Sequence, residues 1–248
     1  MPSQKTAIVL GMLRSGTSMT AGLLERLGVQ MGNEMLPASQ GNPLGYFEDM
    51  DFFDLNRRIL RQAGGDMHHP PAREAIAAQS ASFEKEIVSV LGGRVEDCWG
   101  WKDPVTSLTL DLYLPHVVNP HLIVCRRDVE AVVTSYDKKK TENIDARTMW
   151  REYNSRIDAV LSDNPTVPTL ELSYEQMVIN AEETVDELIR FLGLSPSSEE
   201  RNAAIESVAS KDEIRRLRRR QLINAGLRRP WAVPAYLLRR LRLMMQKS

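Results

Sequence analysis

Gly11-Met12-Leu13-Arg14-Ser15-Gly16-Thr17-Ser18 follows the apolar run Thr6-Ala7-Ile8-Val9-Leu10 and precedes Met19, Leu23, Leu24 and Leu27, spaced as on one helix face. A β-branched apolar run of this kind reads as a buried strand. Strand, glycine-containing loop and helix together make a phosphate cradle, because backbone N–H groups and the positive end of the helix converge on one point. The loop nearly fits the nucleoside-triphosphate pattern G-x-x-x-x-G-K-[ST], but Thr17 stands where that pattern has lysine. A kinase uses the lysine on the β- and γ-phosphates. Here the loop's single cation is Arg14, two residues before the second glycine. The stretch is therefore a phosphate loop built for a different nucleotide.

The rest of the chain alternates strands with helices. Further strands are expected at Asp97–Trp101, His121–Cys125 and Thr169–Leu172. Helices are expected at Thr17–Leu27, Asp49–Gln62, Arg73–Leu91, Ser107–Leu114, Val129–Asp137 and Ala146–Leu161. A further helix is expected to be capped by the box Asn180-Ala181-Glu182-Glu183 and stopped at Gly193. Gly32–Tyr46 reads as a long loop, and Gly64–Pro71, with His68-His69-Pro70-Pro71, as a break. This order predicts an α/β, P-loop-like three-layer fold around a central, mainly parallel sheet.

At 248 residues, 42% apolar and 26% charged, the chain can bury a sizeable core without staples. Its two cysteines, Cys98 and Cys125, lack metal-ligand spacing and read as small core residues. No signal peptide is visible, and no apolar run approaches the roughly 20 residues that span a bilayer, so a reducing cytoplasm is expected. The net charge of −1 conceals an asymmetry: residues 211–248 hold 12 Lys/Arg and 2 Asp/Glu, against 20 and 31 in residues 1–210. A first domain over 1–210 and a basic helical segment over 211–248 follow from it. Within that segment, residues 234–247 mix leucines and methionines with Arg239, Arg240 and Arg242. They read as a helix packed on the domain or at a homodimer contact, in preference to an amphipathic helix on an anionic membrane. No nucleic-acid partner is expected, and His68-His69 reads as a surface turn, not a metal site.

Four segments form a pattern: Arg14-Ser15-Gly16-Thr17-Ser18, Trp101-Lys102-Asp103-Pro104, Arg127 through Ser135, and Ser173-Tyr174-Glu175-Gln176-Met177. Together they resemble the sulfotransferase superfamily that uses 3′-phosphoadenosine 5′-phosphosulfate (PAPS), in its bacterial form, over roughly residues 5 to 195. The resemblance implies that Arg14, Ser15, Gly16, Thr17 and Ser18 bind the 5′-phosphate and the sulfate. Arg127, with Ser135 eight residues later, would bind the 3′-phosphate, and Tyr174 would lie near the adenine. Arg126 is the neighbouring candidate, but the Arg-Asp-x-x-Ala-Val-x-x-Ser match favours Arg127. A basic residue among Arg215–Arg220 is a further candidate for the 3′-phosphate.

Relatives that sulfate phenols and steroids carry Lys-Thr-His at the second segment, with His as base. Here Pro104 takes that place, while Lys102 keeps the role of donor to the transferring group. The base is then expected to be a glutamate, as in carbohydrate and tyrosine sulfotransferases, and Glu48 in Gly45-Tyr46-Phe47-Glu48-Asp49 is the first candidate. Glu34, Asp49 and Asp103 are the alternatives. The implied reaction is metal-free sulfuryl transfer from PAPS to a hydroxyl of a carbohydrate, glycolipid or small metabolite, with Arg14, Lys102 and Glu48 as the catalytic set. A P-loop kinase using ATP and a non-catalytic binding protein on the same fold are the competing readings.

Overall fold

Four parallel strands form the centre of the molecule in the order β2-β1-β3-β4, where β1 is Lys5–Leu10, β2 Cys98–Lys102, β3 Pro120–Arg126 and β4 Thr169–Ser173. The computed structural model describes residues 4–37, 46–137 and 144–208. Met1–Val208 form one unit and Ala209–Ser248 a second. The basic segment, its late arginines and the packed-helix, dimer and membrane readings weighed for it lie outside the described residues.

Ten α-helices are described. They are α1 Thr17–Arg26, α2 Met50–Gln62, α3 Arg73–Ala77, α4 Ser80–Leu91, α5 Thr106–Tyr113, α6 Val129–Asp137, α7 Ala146–Asp163, α8 Tyr174–Ile179, α9 Ala181–Leu192 and α10 Ser198–Glu206. A 3₁₀ turn, Leu114–His116, follows α5.

The pleat of β1 and β3 divides the core. Ile8, Leu10, Leu122 and Val124 face a layer built from α2 to α7, whereas Ala7, Val9, Ile123 and Cys125 face α1, α8, α9 and α10. Both faces are covered, which explains the continuous apolar runs Ala7–Leu10 and Leu122–Cys125 within these strands. The expected three-layer α/β fold is the observed one.

Two sequence expectations are corrected. Arg73–Leu91 is not one helix: Gln79 N–H bonds Ile76 O at 2.9 Å, tightening the chain between α3 and α4. The break lets α3 turn to α5, where Arg73 Nε meets Asp111 Oδ2 at 2.7 Å, while α4 packs on α2. Asn180 does not build a capping box, since it also closes α8 and its side chain donates to Gln176 Oε1 at 3.3 Å. The capping box is Ser197–Glu200, at the start of α10.

An aromatic stack fixes the β2 edge of the sheet. Phe52 of α2 lies on Trp101 of β2 with ring centres 4.4 Å apart and planes 7° apart, and Trp99 and Tyr113 flank Trp101 at 5.7 and 5.8 Å. Such pairs add about 0.5–1.5 kcal/mol each beyond the area they bury. The consequence is positional: the N-terminus of α2 is fastened beside the C-terminal end of β2.

Candidate active site

The loop between β1 and α1 closes on left-handed backbone at Arg14 (φ 71°) and Gly16 (φ 98°). At Gly16 this is sterically required, because a Cβ there would stand 2.8 Å from the Tyr174 ring and 3.0 Å from Met177 Cε. The loop therefore sits directly against the start of α8. Gly11 N–H is tied to Ser107 Oγ at 2.9 Å, which anchors the loop's first turn to α5. Ser15 and Thr17 are buried and Arg14 is exposed.

The other strand ends converge on this loop. Arg14 Nε donates to Ser135 Oγ at 2.9 Å, and Arg127 Nη1 donates to Arg14 O at 2.8 Å. The Arg127 guanidinium stands 3.8 Å from the centre of the Tyr174 ring, a cation–π contact. Its Nε is buried without a hydrogen-bond partner and lies 4.0 Å from Glu175 Oε1. Arg14, Arg127, Ser135 and Tyr174 thus form one cationic cluster on loop, β3 end, α6 and α8. One detail differs from the sequence reading: Arg14's side chain lies with Ser135, the proposed 3′-phosphate partner, and not apart from it. Arg126 points elsewhere, bound to Asn154, Asp158 and Glu171.

Lys102 lies on the other side of the loop. Its Nζ donates to Glu48 Oε1 at 2.7 Å and to Ser18 Oγ at 3.2 Å, and the lysine and glutamate side chains are 1% and 8% exposed. Arg57 Nη2 is 3.9 Å from Glu48 Oε2, and Arg57 Nη1 is 3.2 Å from Asp103 Oδ2. The guanidinium rests on the Phe53 ring one helical turn earlier, which directs it toward Glu48. Phe47 has left-handed backbone (φ 54°), and its ring closes on Gly22 of α1. Glu48 is turned inward to Lys102 by this bend.

The alternative bases are placed differently. Asp49 is fully buried and caps α2, accepting from Asp51 N–H at 3.0 Å and from Asn33 N–H at 2.8 Å. Glu34 is exposed, with its backbone O accepting from Met50 N–H. Asp103 is fully buried beneath the site. Burial pushes its carboxyl up to about 6, opposed by Arg57 and reinforced by Glu48. Asn56 donates to Asp103 Oδ2 at 2.9 Å while its own oxygen accepts from Thr109 and Tyr113. Among the described residues, none of the groupings of His, Cys, Asp and Glu could hold a metal ion.

A model of the sulfotransferase family matches residues 7–199. The chain belongs to the sulfotransferase family. Comparison with curated proteins by sequence gives no match. Among solved structures, this sulfotransferase is similar to the sulfotransferase domain of the Synechococcus PCC 7002 olefin synthase, at 17% identity over 86% of this chain and 79% of that one, with a TM-score of 0.52. It is also similar to STF9 from Mycobacterium avium, at 17% identity over 83% and 68% with a TM-score of 0.49. Mouse SULT7A1, solved with PAP, aligns at 11% identity over 84% and 65% with a TM-score of 0.41. The Synechococcus domain shares the fold.

Arg57 and Asn56 escaped the sequence reading. Both are ordinary helix residues, and the available signal was only their position two turns beyond Glu48.

Proposed function

We propose that this sulfotransferase transfers the sulfuryl group of PAPS to a hydroxyl of a carbohydrate, glycolipid or small metabolite. The observation that carries the reading is the convergence, at the C-terminal ends of the strands, of the Arg14–Arg127–Ser135–Tyr174 cluster with the buried Lys102–Glu48 pair. When bound, PAPS supplies the sulfuryl group and a bisphosphorylated adenosine leaving group.

The residues present suit that ligand. Arg127 has a buried, unpartnered Nε and lies against an aromatic ring, a setting for a phosphate beside a purine. The loop N–H groups and the N-terminus of α1 would hold the 5′-phosphate. Arg14, hydrogen-bonded to Ser135 in the free protein, would neutralise phosphate or sulfuryl oxygens. Lys102 would exchange Glu48 and Ser18 for the oxygens that gain charge during transfer. That exchange frees the Glu48 carboxylate to take the acceptor's hydroxyl proton. Arg57 would hold Glu48 in place and is a positioning residue. No metal takes part in this scheme.

The setting we propose is the cytoplasm, supported by the two free cysteines, Cys98 and Cys125. No helix among the described residues is long and apolar enough to cross a membrane. A Lys102→Met variant tests the reading. PAPS-dependent sulfation of a hydroxylated acceptor is expected to fall at least about a hundredfold, and undiminished sulfation would contradict it.

A further inference from the structure

Asp103 is a fully buried carboxylate that takes no part in the transfer described above. Both of its oxygens are occupied. Oδ1 accepts from Val105 N–H at 3.2 Å, and Oδ2 accepts from Asn56 Nδ2 at 2.9 Å and from Arg57 Nη1 at 3.2 Å. A carboxylate held this way is out of reach of an acceptor hydroxyl, so it is not a second base. Behind it, Asn56 is satisfied on every polar atom. Its amide also donates to Thr106 Oγ1 at 3.1 Å, and its oxygen accepts from Thr109 and Tyr113 at 2.7 and 3.0 Å. A buried polar network with every member paired is rigid, and this one ties α2 to α5.

The open end of the network is Arg57. Three contacts fix its guanidinium, and none of them involves Glu48 or Lys102. Nη1 donates to Asp103 Oδ2 and also to Phe53 O at 2.9 Å, and Cζ lies 3.2 Å from the centre of the Phe53 ring. So placed, Nη2 stands 3.9 Å from Glu48 Oε2, close enough to act as a charge but too far to hydrogen-bond. Lys102 takes the other oxygen of Glu48 at 2.7 Å. Glu48 therefore faces one cation that is hydrogen-bonded to it and one that a second carboxylate holds back.

The difference matters once Lys102 turns to the sulfuryl oxygens. The Glu48 side chain is 8% exposed, and a carboxylate that buried takes up a proton when its last counter-charge leaves. A protonated Glu48 takes no proton from an acceptor. Arg57 does not deprotonate, so its charge stays. Were it to close on Glu48 as a bidentate pair, it would fill the lone pairs that the acceptor's proton needs.

We propose that Asp103 is a positioning residue: it holds Arg57 back from Glu48, where the guanidinium keeps Glu48 ionised after Lys102 leaves and still leaves Oε2 open to the acceptor's proton. The inference rests on the sulfotransferase reading above and deepens its base step. Burial pushes the Asp103 carboxyl up to about 6, with Arg57 the foremost opposing influence, so at pH 7 it carries the charge this grip needs. The other titratable groups facing Asp103 are Glu48 itself and the phenols of Tyr113 on α5 and Tyr153 on α7, which burial keeps neutral.

The test uses the full chain carrying carboxyl-13C glutamate, read by NMR at pH 7 without donor or acceptor. The signal missing in Glu48→Gln identifies Glu48. Lys102→Met reproduces the moment when the lysine has left, and its Glu48 signal is expected to remain that of a carboxylate. In Lys102→Met/Arg57→Gln the signal is expected to move about halfway or more toward that of a carboxylic acid. Arg57→Lys in place of Arg57→Gln is expected to restore the carboxylate signal. A carboxylic-acid signal in Lys102→Met alone, or a carboxylate signal in Lys102→Met/Arg57→Gln, would overturn the proposal. A crystal structure of Asp103→Asn, with Lys102 intact, is the second arm. The separation of Arg57 Nη2 from Glu48 Oε2 is expected to close to about 2.9 Å, and an unchanged or longer separation would also overturn the proposal. Failure of wild type to bind PAP, measured separately by calorimetry, would instead overturn the parent reading.

Discussion

Lys102 Nζ sits 2.7 Å from Glu48 Oε1 with both side chains almost wholly out of water. A pair this buried is weak ground for stability, because removing two charges from water offsets most of their attraction. It does hold the two groups in contact, and under the proposed scheme an anionic ligand would compete for the lysine. Glu48→Gln keeps the shape and the hydrogen-bond acceptor but removes the proton-accepting carboxylate. We expect PAP affinity within about twofold of wild type and turnover lower by 10²–10⁴-fold. Normal turnover in this variant, measured at saturating PAPS, would remove Glu48 as the base.

The loop–α8 contact gives a second prediction. Gly16→Ala places a Cβ 2.8 Å from the Tyr174 ring on left-handed backbone, φ 98°. Such strain costs on the order of 1–3 kcal/mol. Because Arg127 lies on that ring, we also expect PAP affinity to fall about tenfold or more. A lowered melting temperature with unchanged PAP affinity would show that the contact is only structural.

Asp103 makes stability depend on pH in an unusual direction. Its folded carboxyl is raised to about 6 from an ordinary 3.8, chiefly by burial. Between those values the folded state binds more protons than the unfolded one, so stability falls as pH rises. The penalty is absent below about 4, builds through the window and is complete above about 6, at on the order of 1–3 kcal/mol. Asp103→Asn, which keeps the shape, is expected to gain stability relative to wild type as urea unfolding is followed from pH 4 to 6.5. A pH-independent difference between the two proteins would contradict this.

Much of the fold was legible because the two central strands are buried on both faces: Ala7–Leu10 and Leu122–Cys125 carry their assignment in unbroken apolar runs. The turn at Gly11–Ser18 was legible for a different reason, since two glycines stand between an apolar run and a helical pattern, although the side chains that crowd Gly16, Tyr174 and Met177, come from α8. The break between α3 and α4 was not, because it depends on Arg73 reaching Asp111 on α5. Asn180 misled because a good cap residue was already occupied closing the preceding helix. At the site, Lys102 and Glu48 could be named singly, but their contact depends on the Phe52–Trp101 stack. Arg57 was invisible because its partners, Glu48 and Asp103, come from the segment before α2 and from the end of β2.

The central claim is a PAPS site built on Arg127 and the Gly11–Ser18 loop. Calorimetric titration with PAP, ADP and Mg·ATP, on wild type and Arg127→Ala, tests it most directly. We predict metal-free PAP binding that is much tighter than ADP binding and about 10- to 100-fold weaker in Arg127→Ala. Equal affinity for ADP and PAP, or binding of Mg·ATP in preference to PAP, would contradict it.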